Sequence, residues 1–203
     1  MKKALIITGG YVNYGNVAIS TNDYEIIIAA DSGYISAKKL GIKPTVILGD
    51  FDSSPLPDCN VEIIKFPTEK DDTDTMLACK LAISQGYNQI LIVGGTGGRA
   101  DHYFANVFSL IAFKEQKINV SLTDGDNTVS ILDTETVTLP YSSNYFSLIP
   151  IGNCYATLSG CKYPLDNFLL PCENPSFAIS NEITEDFAKI SVNGKAILCE
   201  CKK

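Results

Sequence analysis

Two aspartates stand one residue apart in Leu48-Gly49-Asp50-Phe51-Asp52-Ser53, directly after the apolar run Thr45-Val46-Ile47-Leu48. If that run is a buried strand, the alternation of side chains directs Asp50 and Asp52 to the same side beyond its end. Two carboxylates about 4 Å apart repel by roughly 4 kcal/mol at an effective dielectric of about 20, and a divalent cation offsets that repulsion. Gly, Asp and Ser also favour solvated turns, so the segment alone supports either interpretation.

Strand-like apolar runs alternate with helical patterns through the first half of the chain, which predicts a parallel sheet covered on both faces. Ligands of such sheets bind beyond the carboxyl ends of the strands. Acidic residues follow strands repeatedly, so we expect them at one edge: Asp31, Asp50, Asp52, Asp74 and Asp101. Oxygen ligands select Mg²⁺, Mn²⁺ or Ca²⁺ over zinc. Capping of a helix N-terminus accounts for one or two members of Asp71, Asp72 and Asp74, but not for the whole edge.

The segment Gly94-Gly95-Thr96-Gly97-Gly98 contains four glycines in five residues and precedes a helical pattern. Such a loop lets backbone N–H groups and the start of the helix bind phosphate oxygens. It has neither the Walker lysine nor Gly-x-Gly-x-x-Gly spacing, so a flexible surface loop is the other interpretation. Arg99 adds a guanidinium suited to phosphate, and the nearby aspartates favour a phosphate site.

His102 is the sole histidine of the chain and lies four residues before Asn106 on the predicted helix. Residues four apart share a helix face, which favours a hydrogen-bonding role for both at the same site. A general-base role for His102 is the less favoured interpretation, because a lone motif rarely settles such a role.

The chain has 203 residues, a net charge of −7 and a sequence pI near 4.7. An acidic protein is a poor partner for nucleic acid, whereas a small phosphate ligand stays possible because a metal ion can supply positive charge locally. No run is long enough for a membrane-spanning helix, and the apolar stretch at the N-terminus is too short for a signal peptide. Seven cysteines without a Cys-x-x-Cys pair indicate reduced thiols and predict a cytoplasmic protein.

Near residue 126 the pattern changes to short strand-like runs without long helical periodicity. We therefore predict an α/β fold in which a parallel-sheet domain, residues 1–125, precedes a smaller antiparallel β-sandwich domain, residues 126–203. Asn193-Gly194 predicts a hairpin, and Phe177–Ser180 a strand. Asp124-Gly125 is typical of a turn. The helix from about 101 to 116 is expected to bury four apolar side chains: Phe104, Val107, Phe108 and Ile111.

These motifs together resemble the thiamine pyrophosphokinase (thiamine diphosphokinase) family. The pieces that carry the resemblance run in family order through nearly the whole chain: Ala30-Asp31-Ser32-Gly33, Gly49-Asp50-Phe51-Asp52-Ser53, Asp71-Asp72-Thr73-Asp74, Gly97-Gly98-Arg99-Ala100-Asp101-His102 with Asn106, Gly160-Cys161-Lys162-Tyr163-Pro164-Leu165 and Ser180-Asn181-Glu182. Two departures stand out. Ser32 replaces the commoner glycine after Asp31, and the chain has no Trp to stack on thiamine.

The resemblance implies a homodimer whose active sites involve both subunits, and transfer of diphosphate from ATP to thiamine with release of AMP. By that similarity Mg²⁺ and the phosphates would be held by Asp31, Asp50, Asp52, Asp74 and Asp101. ATP would also contact Gly97, Gly98, Arg99, His102 and Asn106. Thiamine would contact Ser180 and Asn181.

The chemistry expected of such a site is mostly positioning and charge neutralisation. Either Asp71 or Asp74 could accept the proton of the thiamine hydroxyl. A phosphatase of the haloacid dehalogenase type, with Asp50 as covalent nucleophile, is a second candidate, but it leaves the glycine-rich segment unexplained. A non-catalytic nucleotide sensor is the third, and it does not require so many carboxylates.

Overall fold

A computed structural model describes residues 1–51, 60–69, 71–97, 99–142 and 144–203 of the chain. The predicted site residues Asp52 and Gly98 lie outside these ranges. Contacts between residues divide the chain into two compact units, Met1–Asp126 and Asn127–Lys203. The predicted class, an N-terminal α/β unit followed by an antiparallel β unit, is confirmed.

Unit 1 contains a sheet of parallel strands in the order β6-β5-β1-β2-β3-β4. The strands are β1 Lys3–Ile7, β2 Ile26–Ala30, β3 Val46–Gly49, β4 Glu62–Lys65, β5 Gln89–Val93 and β6 Asn119–Thr123. All of β2 and nearly all of β1 is buried, because a parallel sheet is covered on both faces and its central strands are continuously apolar. The helices are α1 Gly33–Lys39, α2 Asp74–Ser84 and α3 Ala100–Glu115, with a 3₁₀ turn at Thr21–Asp23.

The strand order reverses beside β1. From β1 the chain adds β2, β3 and β4 on one side, and it then crosses through α2 to β5 and β6 on the other side. In open α/β sheets, ligands bind outside the carboxyl ends of the strands at such a reversal. The loops after β1 and β5 therefore flank the expected ligand position.

One part of the α3 prediction is wrong. Phe104 and Phe108 are 57% and 64% exposed, whereas the buried side chains are Val107, Leu110 and Phe113. Both sets have helical spacing, and only contact with the sheet decides which face is covered. No helix in the described ranges is long and apolar enough to cross a membrane.

Unit 2 is antiparallel and is built on two strands of fifteen residues each. Its strands are β7 Asn127–Asp133, β8 Thr136–Pro140, β9 Tyr145–Ser159, β10 Leu165–Leu170, β11 Asn181–Glu182 and β12 Phe187–Cys201. Strand β12 pairs with β9 along one edge, and along its other edge with β8 and then β7. Strand β9 also pairs with β10 and β11. The core of the unit includes Phe146, Leu148, Leu158, Ile190 and Leu198.

Two local predictions in unit 2 are wrong. Asn193-Gly194 is no hairpin but lies inside β12, where the pairing with β9 shifts register and Gly194 takes φ 110°. A glycine at positive φ is typical of a bulge, and the partners on both sides of β12 keep the strand continuous. Residues Phe177–Ser180 do not form a strand, because a 3₁₀ turn spans Pro175–Ala178. Proline at its first position fixes φ and needs no hydrogen-bond acceptor there.

Candidate active site

A cavity of about 390 Å³ lies at the carboxyl edge of the unit 1 sheet. It is formed by the ends of β1 and β2, the start of α2, the loop after β5 and the start of α3. Six of the predicted site residues line it: Asp31, Asp74, Gly97, Arg99, His102 and Asn106. The cavity thus lies at the reversal of strand order between β1 and β5.

Asp31 occupies a strained position at the end of β2. Its φ is 47°, a region that residues other than glycine rarely adopt, and its N–H donates to the carbonyl oxygen of Leu48 at 2.7 Å. A Cβ on Gly49 would lie 3.0 Å from the Cα of Asp31, so the two strand ends pack backbone against backbone. Asp50 comes next after Gly49 but does not line the cavity. Asp31 and Asp50 thus follow neighbouring parallel strands at the same edge of the sheet, and of the two Asp31 lines the cavity.

At the start of α2 a threonine provides the cap. Thr73 Oγ1 accepts a hydrogen bond from the backbone N–H of Met76 at 3.2 Å, and Asp74 is the first helical residue. Asp72 pairs with Lys80 at 2.6 Å. Asp71 is exposed and outside the cavity lining, so Asp74 is the one aspartate of this motif that faces the site.

The loop after β5 is tied to the protein through its carbonyl oxygens. Asn106 Nδ2 donates to the carbonyl of Gly95 at 2.9 Å, and the N–H of Tyr11 donates to the carbonyl of Thr96 at 3.0 Å. A carbonyl that is bonded to the protein is not turned toward a phosphate, where it would repel the anion. A Cβ on Gly10 would overlap the carbonyl oxygen of Gly94, so this close approach requires glycine.

Arg99 and Asp101 form a bidentate ion pair at the start of α3. Arg99 Nε and Nη2 donate to the two carboxylate oxygens at 3.1 and 2.6 Å, and the N–H of His102 donates to Oδ1 at 2.9 Å. The hydrogen bond from Arg99 lowers the pKa of Asp101 to about 2. Asp101 does not line the cavity, and its carboxylate is paired with Arg99.

Of the five carboxylates predicted to bind metal, Asp31 and Asp74 line the cavity, Asp50 and Asp101 do not, and Asp52 lies outside the described residues. Across the described ranges, no group of three or more His, Cys, Asp or Glu side chains lies close enough together to hold a metal ion. Asp31 and Asp74 do line the same cavity, and all their donor atoms are oxygen. Such a donor set fits Mg²⁺, which is usually bound by one or two carboxylates plus substrate phosphates.

The two predicted thiamine contacts in unit 2 differ in exposure. Ser180 is exposed, with φ 56° and its N–H donating to Ser147 Oγ at 3.0 Å. Asn181 is only 1% exposed, and its amide bonds to the backbone of Tyr163 and Glu182. The amide of Asn181 is therefore engaged in hydrogen bonds within unit 2.

Some lining residues carried weak sequence signals. Thr8 and Thr75 stand beside strand and helix ends without a motif of their own. Tyr103 could have been found, because positions 99, 102, 103 and 106 have the spacing of a single helix face.

A parallel sheet with a glycine-rich loop, an arginine and two aspartates around a cavity at its reversal point is an arrangement typical of α/β proteins that bind phosphate ligands. A family model described as "Thiamin pyrophosphokinase, catalytic domain" matches residues 18–122, and one described as "Thiamin pyrophosphokinase, vitamin B1 binding domain" matches residues 115–197. The thiamine pyrophosphokinase of Bacillus subtilis is 31% identical over 205 residues, which cover 93% of this chain and 95% of that protein. The chain therefore belongs to the thiamine pyrophosphokinase family.

Solved structures agree with this assignment. The crystal structure of thiamine pyrophosphokinase from Bacillus subtilis matches with a TM-score of 0.86 and 27% identity over the whole of both chains. That of the thiamin pyrophosphokinase from Geobacillus thermodenitrificans matches with a TM-score of 0.81 and 28% identity, over 99% of this chain and 98% of the other. Enzymes of the family transfer pyrophosphate from ATP to thiamine, and neither the phosphatase nor the sensor interpretation finds support.

Proposed function

We propose that this chain transfers the diphosphate group of ATP to the hydroxyl of thiamine, giving thiamine diphosphate and AMP, with the triphosphate bound in the cavity of unit 1. The observation that carries this proposal is the convergence on one cavity of the glycine-rich loop, Arg99, Asp31 and Asp74. The loop and the start of α3 offer backbone N–H groups to phosphate, and Arg99 offers a guanidinium.

Mg²⁺ would be held by Asp31 and Asp74 together with oxygens of the triphosphate. When bound, the ion neutralises phosphate charge and orients the transferred group. Asp50 directly follows β3, which pairs with the strand that ends before Asp31, so Asp50 is a further candidate for binding the metal ion. Asp52 belongs to the same motif.

The reaction forms a bond from the thiamine hydroxyl oxygen to the β-phosphorus and breaks the bond from that phosphorus to the α–β bridging oxygen, so AMP leaves. Of the two bases considered from the sequence, Asp71 lies outside the cavity lining, and we assign proton acceptance to Asp74. A carboxylate has two oxygens, so one can face the metal while the other accepts the proton.

Arg99 is proposed to exchange Asp101 for a phosphate when ATP binds. Both side chains are exposed, and an exposed ion pair contributes little stability, so the exchange costs little. His102 and Gly97 line the same wall and would hydrogen-bond the phosphates. Asn106 would act by holding the carbonyl of Gly95.

Thiamine is assigned to the second domain, residues 126–203, and ATP to residues 1–125. The match of residues 115–197 to a vitamin B1 binding domain supports this division. Ser180 is the proposed contact with thiamine, because its side chain is exposed, while Asn181 supports the neighbouring turn.

A homodimer in the cytoplasm completes the proposal. The family resemblance supports the dimer, and the exposed Phe104 and Phe108 offer an apolar surface on α3. The cysteines of the described ranges are free thiols, as in a reducing compartment. Sedimentation equilibrium measures the dimer, and specific activity should fall on dilution below its dissociation constant if both subunits complete each site.

The decisive experiment follows the products. Purified protein with Mg²⁺, ATP and thiamine should give AMP and thiamine diphosphate in equal amounts. ADP with thiamine monophosphate would exclude diphosphate transfer. Phosphate release without thiamine would favour the phosphatase, and ATP binding without any turnover would favour the sensor.

A further inference from the structure

A buried carboxylate outside the cavity lining is bonded to the glycine-rich loop. Asp124, 3% exposed, follows β6, and its Oδ2 accepts a hydrogen bond from Thr96 Oγ1 at 2.7 Å. Its Oδ1 accepts from the N–H of Asp126 at 2.8 Å. Its own carbonyl oxygen accepts from the N–H of Asn13 at 2.7 Å. Besides its contact with Thr96, Asp124 is thus held by hydrogen bonds to Asp126 and Asn13.

Thr96 is the only residue between Gly94 and Gly97 that has a side chain. It is 5% exposed and lines the cavity, and its carbonyl oxygen accepts from the N–H of Tyr11. Glycines on both sides give the backbone wide conformational freedom, which costs entropy when the loop is ordered. The threonine hydroxyl is therefore the point at which a side-chain contact can fix the loop.

We infer that Asp124 is a positioning residue for the phosphate-binding loop, which acts by holding Thr96 and through it the backbone from Gly95 to Gly97. The inference rests on the proposed binding of the ATP triphosphate in this cavity. Asp124 itself does not line the cavity, so its negative charge is not presented to the phosphates. Nothing in the sequence motifs singled it out, since Asp124-Gly125 is typical of an ordinary turn.

Geometry rather than charge should explain the choice of residue. Each carboxylate oxygen accepts a hydrogen bond, Oδ2 from the Thr96 hydroxyl and Oδ1 from the Asp126 N–H. In Asp124→Asn the amide oxygen can still accept from the N–H of Asp126, and the amide nitrogen can donate to the Thr96 hydroxyl, which also accepts. Asp124→Ala removes both bonds, and Thr96→Val removes one while keeping the shape of the side chain.

The test measures ATP binding in the presence of Mg²⁺ and without thiamine, by calorimetry, together with the KM values for both substrates. We expect Thr96→Val and Asp124→Ala each to weaken ATP binding about tenfold, because ATP binding must then order a loop that the hydrogen bond to Asp124 no longer holds, and a bond to an ionised group is on that scale. The KM for thiamine should stay within about twofold, because the two residues act on the phosphate loop alone. The double variant should bind ATP no more weakly than Asp124→Ala, since both changes remove the same contact.

Asp124→Asn is the conservative variant and should restore most of the ATP affinity lost in Asp124→Ala. Asp126→Asn is the matched control, because this neighbouring carboxylate binds the side chains of Asn13 and Asn16. Melting temperatures show whether each variant is folded. If Asp124→Ala does not fold, Thr96→Val alone tests the inference.

Unchanged ATP affinity in Thr96→Val would overturn the inference. So would equal losses for ATP and thiamine, or a loss in Asp124→Asn as large as in Asp124→Ala. The proposed function fails separately, if the wild-type protein itself neither binds ATP nor releases AMP.

Discussion

The side chain of Asn181 is joined to the backbone of Tyr163 by two hydrogen bonds. The N–H of Tyr163 donates to Oδ1 at 3.0 Å, and Nδ2 donates to the Tyr163 carbonyl oxygen at 2.8 Å. This pair imitates the exchange between two neighbouring strands, and it ties the turn at 161–163 to β11. Ser180 directly precedes Asn181 in the chain. The position of the exposed Ser180 therefore depends on the buried side chain of Asn181.

Asn181→Ala should lower the free energy of unfolding by about 2–3 kcal/mol, since it leaves partly buried backbone groups of Tyr163 and Glu182 without their side-chain partner. It should also raise the KM for thiamine more than that for ATP, through displacement of the turn. Ser180→Ala is the control and should change stability by less than about 0.5 kcal/mol, because its side chain is exposed. Urea unfolding measures both. Equal stability of the two variants would contradict the supporting role of Asn181.

Asp74→Asn should reduce kcat at least about a hundredfold, the usual scale for loss of a positioned acid–base group. Its stability should change by no more than about 1 kcal/mol, the scale of an anion at a helix N-terminus. Asp72→Asn is matched in chemistry and lies two residues away, but it pairs with Lys80 outside the cavity. Steady-state kinetics should find it close to wild type. Comparable losses in both variants would argue against a special role for Asp74.

Gly10→Ala should destabilise unit 1 by about 1–3 kcal/mol and raise the KM for ATP, because the new methyl group overlaps the carbonyl of Gly94. Gly15→Ala, in the same connection between β1 and β2, adds a methyl group with only an ordinary contact, 3.7 Å from Asn13 Oδ1. Its melting temperature should match that of the wild type within a few degrees. A Gly10→Ala variant with normal melting and normal KM for ATP would show that the two loops can separate.

Glu182 should contribute to stability in a way that is lost in acid. Lys162 and Lys203 donate hydrogen bonds to its two oxygens and lower its pKa from 4.5 to about 2. A carboxyl with a depressed pKa stabilises the folded state above the unfolded pKa, and that contribution disappears as the pH falls from about 4.5 to about 2. The melting temperature of Glu182→Gln should therefore fall less steeply as the pH is lowered than that of the wild type, and added salt should reduce the difference.

Glu200 gives a control of opposite sign. Burial raises its pKa, so its protonation in acid favours the folded state. Glu200→Gln removes that gain, and its melting temperature should fall more steeply with acid than that of the wild type. Parallel curves for both variants would contradict the two pKa shifts.

The sequence alone is sufficient to predict the parallel sheet of unit 1 and the edge of that sheet at which the cavity lies. Apolar runs such as Ile26–Ala30 are recognisable because a strand covered on both faces has no polar positions. Glycines after β1 and β5 mark the places where backbones meet. Side-chain pairing was not predictable in the same way, since Arg99 bonds Asp101 through conformations that the spacing of residues leaves open.

Local signals failed where distant partners decide the structure. Asn193-Gly194 has the composition of a hairpin turn, yet the strand pairing before and after it on both sides of β12 keeps that strand continuous. Phe104 and Phe108 are large and apolar, but the sheet covers the face of α3 that carries Val107 and Leu110. At Asp124 the local sequence indicates only a turn. Its hydrogen bond from Thr96 is not visible there, because the two residues are 28 positions apart.

The central position of β12 has a consequence for the nascent chain. This strand pairs with β7, β8 and β9, yet it is the last strand of its unit to leave the ribosome. Until residues 187–201 emerge, apolar side chains of β9 such as Leu148 and Leu158 lack the strand that pairs beside them. Unit 2 must therefore wait for the end of its translation, and during that interval its open strand edges are exposed to chaperones and to aggregation.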